Sequence, residues 1–261
     1  MSLCRLGSIN SLANKLTNSA SHSSIGRIFS GIDCDDIREV ICSIYTTLRK
    51  NKALESSSAF LVIDGHETNA SYRRRCEKCL KRTVHTKNGD RIQYYHRNVT
   101  AMLVSGRFKL PIDAEAQLPG EDEVAAATRL LKRVYKAYPR AFKIVIADGL
   151  YVRTSFFHMV TDMKKHVIAV LKDERRDLLV DAKGLCKLEK PTIKDEGKTE
   201  YKMWDFEDMT TWTELKRPVR VVRSSETKTV TRQLDKKNRA RPPTGSGLLH
   251  CQKNFIRLML W

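Results

Sequence analysis

The chain has 261 residues, 41% of them hydrophobic, which is enough for one or two domains with a real core. It carries 48 Lys and Arg against 30 Asp and Glu, a formal charge of +18, and this surplus points to a polyanionic partner. No run approaches the roughly eighteen apolar residues that span a bilayer, which argues against a membrane protein, and the seven irregularly spaced cysteines do not form a disulfide framework, which favours a reducing, cytoplasmic setting.

The positive charge is concentrated. Residues 71–100 hold nine Lys and Arg against two acids, and residues 216–261 hold twelve against two. Such clusters suit nucleic-acid contact, with an affinity that falls as salt rises. A solvated basic face with a disordered tail is the plainer alternative.

Taken in order, residues 1–31 are rich in Ser and Asn, contain no Asp or Glu, and faintly resemble a transit peptide; at most one short helix is expected there. Ile37, Val40, Ile41, Ile44, Tyr45 and Leu48 recur at helical spacing, and Asp33, Asp35 and Asp36 favour a helix start, so a helix is predicted over 35–50. Phe60-Leu61-Val62-Ile63 then reads as a buried strand that delivers Asp64, followed by Gly65, to the end of a sheet.

The basic stretch that follows holds Arg73, Arg74, Arg75, Cys76, Cys79, Lys81, Arg82 and His85, with Lys87 and Arg91 beyond it. Cys-x-x-Cys with His85 six residues on is a candidate zinc knuckle, with His66 or His96 as the fourth ligand. Two free thiols in a basic loop are the alternative. Arg73, Arg74, Arg75, Lys81, Arg82, Lys87 and Arg91 are the candidate DNA contacts.

Arg91–Val104 and Phe108–Asp113, joined at Ser105-Gly106, predict a hairpin, and Pro111 places its second strand at an edge. Glu121-Asp122-Glu123 load the first turn of a helix whose apolar stripe is Val124, Leu130, Leu131, Val134, Tyr135 and Tyr138 and which stops at Pro139. Phe142–Ala147 repeats the first device, an apolar strand ending in Asp148-Gly149. A short helix from Thr154 and a strand at His166–Leu171 complete a core over 53–172, preceded by a region over 1–52. Residues 173–235 read as a β-rich insertion, and 236–261, with its run of Pro, Gly and Arg, as an unpacked tail.

The fold class expected is α/β: three antiparallel strands, then helix-separated parallel strands, in a mixed sheet. With Asp64 and Asp148 closing the first and fourth strands, this order resembles the ribonuclease H-like fold. Within that fold the segments Val62–Thr68, Lys87–Arg91, Pro119–Glu123, Ile146–Tyr151 and Ala169–Glu174 resemble bacterial insertion-sequence transposases with a DDE triad. The resemblance covers roughly residues 24–235. It implies DNA cleavage and strand transfer at transposon terminal inverted repeats by Mg²⁺ or Mn²⁺ held on Asp64 and Asp148. A homodimer on DNA and a nucleoid-associated location in the cytoplasm would go with it.

The third acid of the triad is the departure. The family carries it as Glu on a helix after the insertion, whereas no Glu follows Glu226 here, and Glu226 lacks the helical signature. Glu67, close to Asp64, is a fallback ligand. The abrupt change of composition after Gln233–Lys237 is what a frameshift or truncation would leave, so a catalytically incomplete chain is expected. A DNA-binding protein with a zinc knuckle and no catalysis, or a non-specific metal-dependent nuclease, are the competing functions.

Overall fold

A computed structural model describes residues 22–54, 59–172, 177–231 and 248–260. The chain divides into two compact units, Met1–Ala53 and Leu54–Trp261. The first holds helices α1 (His22–Gly31) and α2 (Cys34–Lys50). Asp33 caps α2 by accepting the Asp35 N–H at 3.0 Å, Asp35 and Asp36 lie in its first turn, and Arg49 and Lys50 in its last, each sign where the helix dipole favours it. Residues 1–21 of the expected loose N-terminal region lie outside the described residues.

The second unit is α/β, built on one mixed, open sheet of ten strands. These are β1 (Phe60–Ser71), β2 (Leu80–Thr86), β3 (Gly89–Ser105), β4 (Phe108–Ala116), β5 (Ile144–Ala147), β6 (His166–Val170), β7 (Thr192–Glu196), β8 (Thr199–Met209), β9 (Val219–Thr231) and β10 (Leu248–Leu260). Their order is β2-β3-β1-β5-β6-β10-β9-β8-β7, and β4 also pairs with β3. Among the described residues only the β1–β5 and β5–β6 pairs are parallel. β4, among the described residues, pairs with no strand but β3, so Pro111 sits at an edge where a missing N–H is tolerated.

Helix α3 (Glu123–Ala137) joins β4 to β5 and α4 (Thr154–Asp162) joins β5 to β6. The core lies on one face of the sheet. Leu61 and Ile63 of β1, Val99, Ala101 and Leu103 of β3, Val145 of β5 and Val167 and Ala169 of β6 are almost wholly buried there. From the helices, Ala126, Leu130, Leu131 and Val134 of α3 and Phe156, Phe157 and Val160 of α4 are equally buried. The alternate residues Val62, Met102, Ile146 and Ile168 are only half-buried.

Three differences from the sequence reading have physical causes. Residues 80–86 are not loop but β2, a strand long enough to make a hairpin with the first half of β3. Residues 177–188 form a helix, α5 (Asp177–Leu188), whose buried Leu178, Leu179, Ala182 and Cys186 are spaced for one face although Gly184 interrupts the pattern. The supposed tail is the largest correction. Leu248–Leu260 forms β10, with Ile256, Leu258 and Leu260 buried, and it joins β6 to β9. Strands β7–β9 therefore extend the main sheet. Residues 232–247 of the expected tail lie outside the described residues.

Candidate functional site

The two Asp-Gly steps lie on neighbouring strands of the sheet. β1 and β5 run parallel with Val62 opposite Ile146, the last pair of the ladder, and Asp64 and Asp148 each come two residues further on, both within reach of the Tyr151 hydroxyl by charge. Both have the phase of Val62 and Ile146 and belong to the half-buried face, but only Asp148 follows the end of its strand; Asp64 does not close β1 as the sequence suggested, because β1 runs on to Ser71, paired with β3. The glycines after them belong to the packing. A side chain at Gly65 would put its Cβ 2.2 Å from the Glu123 carboxyl carbon, and one at Gly149 would sit 2.8 Å from the Val170 carbonyl oxygen.

Asp148 accepts the Leu150 N–H at 2.8 Å, which starts a single 3₁₀ turn over Gly149–Tyr151, and Lys172 Nζ lies 3.7 Å from its other oxygen. Asp64 is exposed, and its main-chain oxygen accepts from Thr100 Oγ1 at 3.2 Å. Below them the Tyr151 hydroxyl donates to buried Glu123 at 2.7 Å, and Arg97 Nη1 donates to the same carboxylate at 3.2 Å. Burial pushes the Tyr151 phenol upward, helped by that hydrogen bond and by the charges of Glu123, Asp148 and Asp64. One hydroxyl thus feels both aspartates. Sequence reasoning missed the Glu123–Tyr151–Arg97 trio, because an acid in a helix's first turn is ordinarily left in water.

Neither Glu67, the fallback ligand, nor Glu226, already set aside, stands with Asp64 and Asp148. Glu67 is one residue out of phase with Asp64, so it belongs to the other face, where Arg82 grips both its oxygens at 2.7 and 2.8 Å. Glu226 is on β9, opposite Lys253 of β10, three strands and about 14 Å sideways from β5.

The second cluster lies further along β1. After Thr68 the strand bulges, with Asn69 in the left-handed region, and Ser71 Oγ accepts the N–H groups of Arg73 and Arg74 at 3.2 and 3.0 Å. The chain then turns, the Cys79 N–H bonding the Cys76 carbonyl at 3.2 Å, into β2. Cys76 Sγ, Cys79 Sγ and His96 Nε2 form a triangle 3.4 Å on each side. Among the described residues it is the one group of three or more His, Cys, Asp or Glu whose ligand atoms all lie within 4.8 Å of one another.

His96 takes the place expected for His85. Leu80 pairs with Tyr95, so Cys79 enters β2 next to His96, while His85 pairs with Asp90 at the hairpin's far end, about 17 Å along the strand. His85 Nδ1 lies 2.7 Å from Asp90 Oδ1. His66 shares the face of His96 but pairs with Asn98, and it too is outside the triangle.

Of the expected DNA contacts, Arg73, Arg74, Arg75, Lys81, Lys87 and Arg91 are exposed. Arg91 lies over the Tyr72 ring at 4.5 Å. Arg82 is committed elsewhere, to Glu67, to Gln93 and to the Tyr95 ring. Among the described residues no helix is long and apolar enough to cross a membrane. No protein-family model matches the chain, and no curated protein matches it.

Proposed function

We propose that the second unit is a ribonuclease H-like DNA strand-transfer domain of the insertion-sequence transposase type, catalytically incomplete in the chain as given. The observation that supports the reading is the parallel β1–β5 register, which pairs Val62 with Ile146 two residues before Asp64 and Asp148 and gives the two acids the same phase. The strand order β4-β3-β1-β5-β6, antiparallel up to β1 and parallel beyond it, supports the same fold.

The donor set suits a hard divalent cation, since two carboxylates from neighbouring strands repel each other without one. Lys172 beside Asp148 answers the same negative field. Bound Mg²⁺ or Mn²⁺ would polarise a phosphodiester oxygen and lower the pKa of a bound water. Asp64 and Asp148 would hold it, and Tyr151, kept protonated by burial and by Glu123, would add no further negative charge. Incompleteness follows from the acids present: no third carboxylate joins the pair within 4.8 Å among the described residues. The exposed Arg73, Arg74 and Arg75 belong to the loop beyond β1 and would hold the DNA backbone by charge.

Mn²⁺ titration followed by water-proton relaxation tests the pair. The intact chain should bind Mn²⁺ and Asp64→Asn should lose that binding; equal binding by both would sink the assignment. On transposon-end DNA the chain should show salt-sensitive retention without strand transfer. Mg²⁺-dependent nicking of any DNA would favour the nuclease, and retention without Mn²⁺ binding the plain DNA-binding protein.

A further inference from the structure

The soft donors at the other cluster call for a different metal. We propose that Cys76 Sγ, Cys79 Sγ and His96 Nε2 bind one Zn²⁺ whose fourth position is open to solvent. An ion equidistant from three atoms 3.4 Å apart needs at least about 2.0 Å to each, and zinc bonds sulfur at about 2.3 Å and imidazole nitrogen at about 2.0–2.1 Å, so it fits slightly above the plane of the triangle. Two thiolates and an imidazole select zinc over the oxygen-seeking Mg²⁺.

Second contacts favour a metal as well. The Cys76 N–H donates to Cys79 Sγ at 3.1 Å, the kind of outer bond that steadies a metal-bound thiolate. Cys79 is buried and His96 half-buried on β3, while Cys76 is exposed, so the ion would tie a surface loop to a rigid strand. Among the described residues no fourth His, Cys, Asp or Glu joins the three, and they line a cavity of about 670 Å³ together with Asn69, Ser71, Arg74 and Arg75. Two thiolates cancel the charge of the ion, so the loop keeps its arginines without added repulsion.

The placement also has a use. His96 and Thr100 share a face of β3, and Thr100 is opposite Asp64, so the triangle lies about 13 Å from the acidic pair along the same face. The ion would fix where Arg74 and Arg75 stand relative to Asp64. This last step rests on the proposed DNA reading; the metal itself does not.

The test uses the full chain, purified with a non-thiol reductant, equilibrated with zinc and dialysed. It should retain about one zinc per chain. With Co²⁺ instead, near-ultraviolet thiolate charge-transfer bands should appear, and azide should shift the visible bands through the open position. Cys76→Ser, whose side chain is outside the core, and His96→Ala should lose the metal and the bands. His85→Ala and His66→Ala should keep both. No retained zinc, a Cys76–Cys79 disulfide under reductant, or equal loss in His85→Ala would overturn the site, and visible bands indifferent to azide would overturn its open position. Because Asp64→Asn should leave zinc content unchanged, failure here is distinguishable from failure of the Mn²⁺ assignment.

Discussion

At the scale of single residues, the two Asp-Gly steps divide their labour. The glycines are required by packing, since each lies where a Cβ would collide, whereas Asp64 points its carboxylate into solvent. Gly149→Ala should lower stability by about 1–3 kcal/mol, because the obstacle is the Val170 carbonyl of β6 and main chain in a ladder does not move aside. Gly65→Ala meets a side chain, but one buried and held by Tyr151 and Arg97, so a cost of the same order is expected. Urea midpoints check both, and a Gly149→Ala protein as stable as the parent would mean β5 and β6 can part at that point. The apolar runs before Asp64 and Asp148 were legible as strands, but the strand end expected at Asp64 was not there, because the pairing of β1 with β3 carries the strand on to Ser71. His96 was not separable from His85, since spacing counts residues along the chain and the choice is made across a hairpin.

At the scale of elements, α3 shows how a helix is fixed at its start. Asp122 caps it by accepting the Ala125 N–H at 2.9 Å and also meets Arg153. Arg129 binds Glu121 and Glu115, and Arg133 binds Asp113 and Glu115, which fastens the helix to β4. The Ala125 N–H, then Arg153, hold the Asp122 carboxyl below its ordinary 3.8, and Arg129 chiefly holds Glu121 below 4.5. A lowered carboxylate stabilises the fold above its unfolded pKa and loses that contribution as pH falls through the folded one. Asp122→Ala should therefore cost about 1 kcal/mol at pH 7, nearly all of it from the cap, since the half-exposed Arg153 contact adds little. The gap in denaturant midpoint between variant and parent should close progressively below pH 3.8; a gap independent of pH would show that the lost carboxylate was not the cause. The acids and apolar stripe of α3 made it readable in advance. Helix α5 was not, because exposed Val180 and Gly184 blur the face that Leu178, Leu179, Ala182 and Cys186 bury.

At the scale of the molecule, β10 decides whether there is one sheet or two. A composition scan sees a basic, Pro- and Gly-rich approach and expects nothing packed, because the reason for packing lies in the open edges of β6 and β9, far away in sequence. Leu258 is wholly buried, paired with Ala169 of β6 on one side and Val221 of β9 on the other. Without β10, β6 would present an unpaired edge beside the Asp64–Asp148 site, and β7–β9 would have no ladder to the core. Leu258→Ala should therefore destabilise by about 2–5 kcal/mol, the range for a buried leucine whose site cannot collapse freely. The more informative outcome is where the loss is felt. If β10 couples the halves, hydrogen exchange should rise together in β6 at Val167–Ala169 and in β9 at Val219–Val222, within one cooperative transition. Faster exchange confined to β9, with β6 protected as before, would show that the α/β core stands without β10 and that β7–β9 form a separate folding unit.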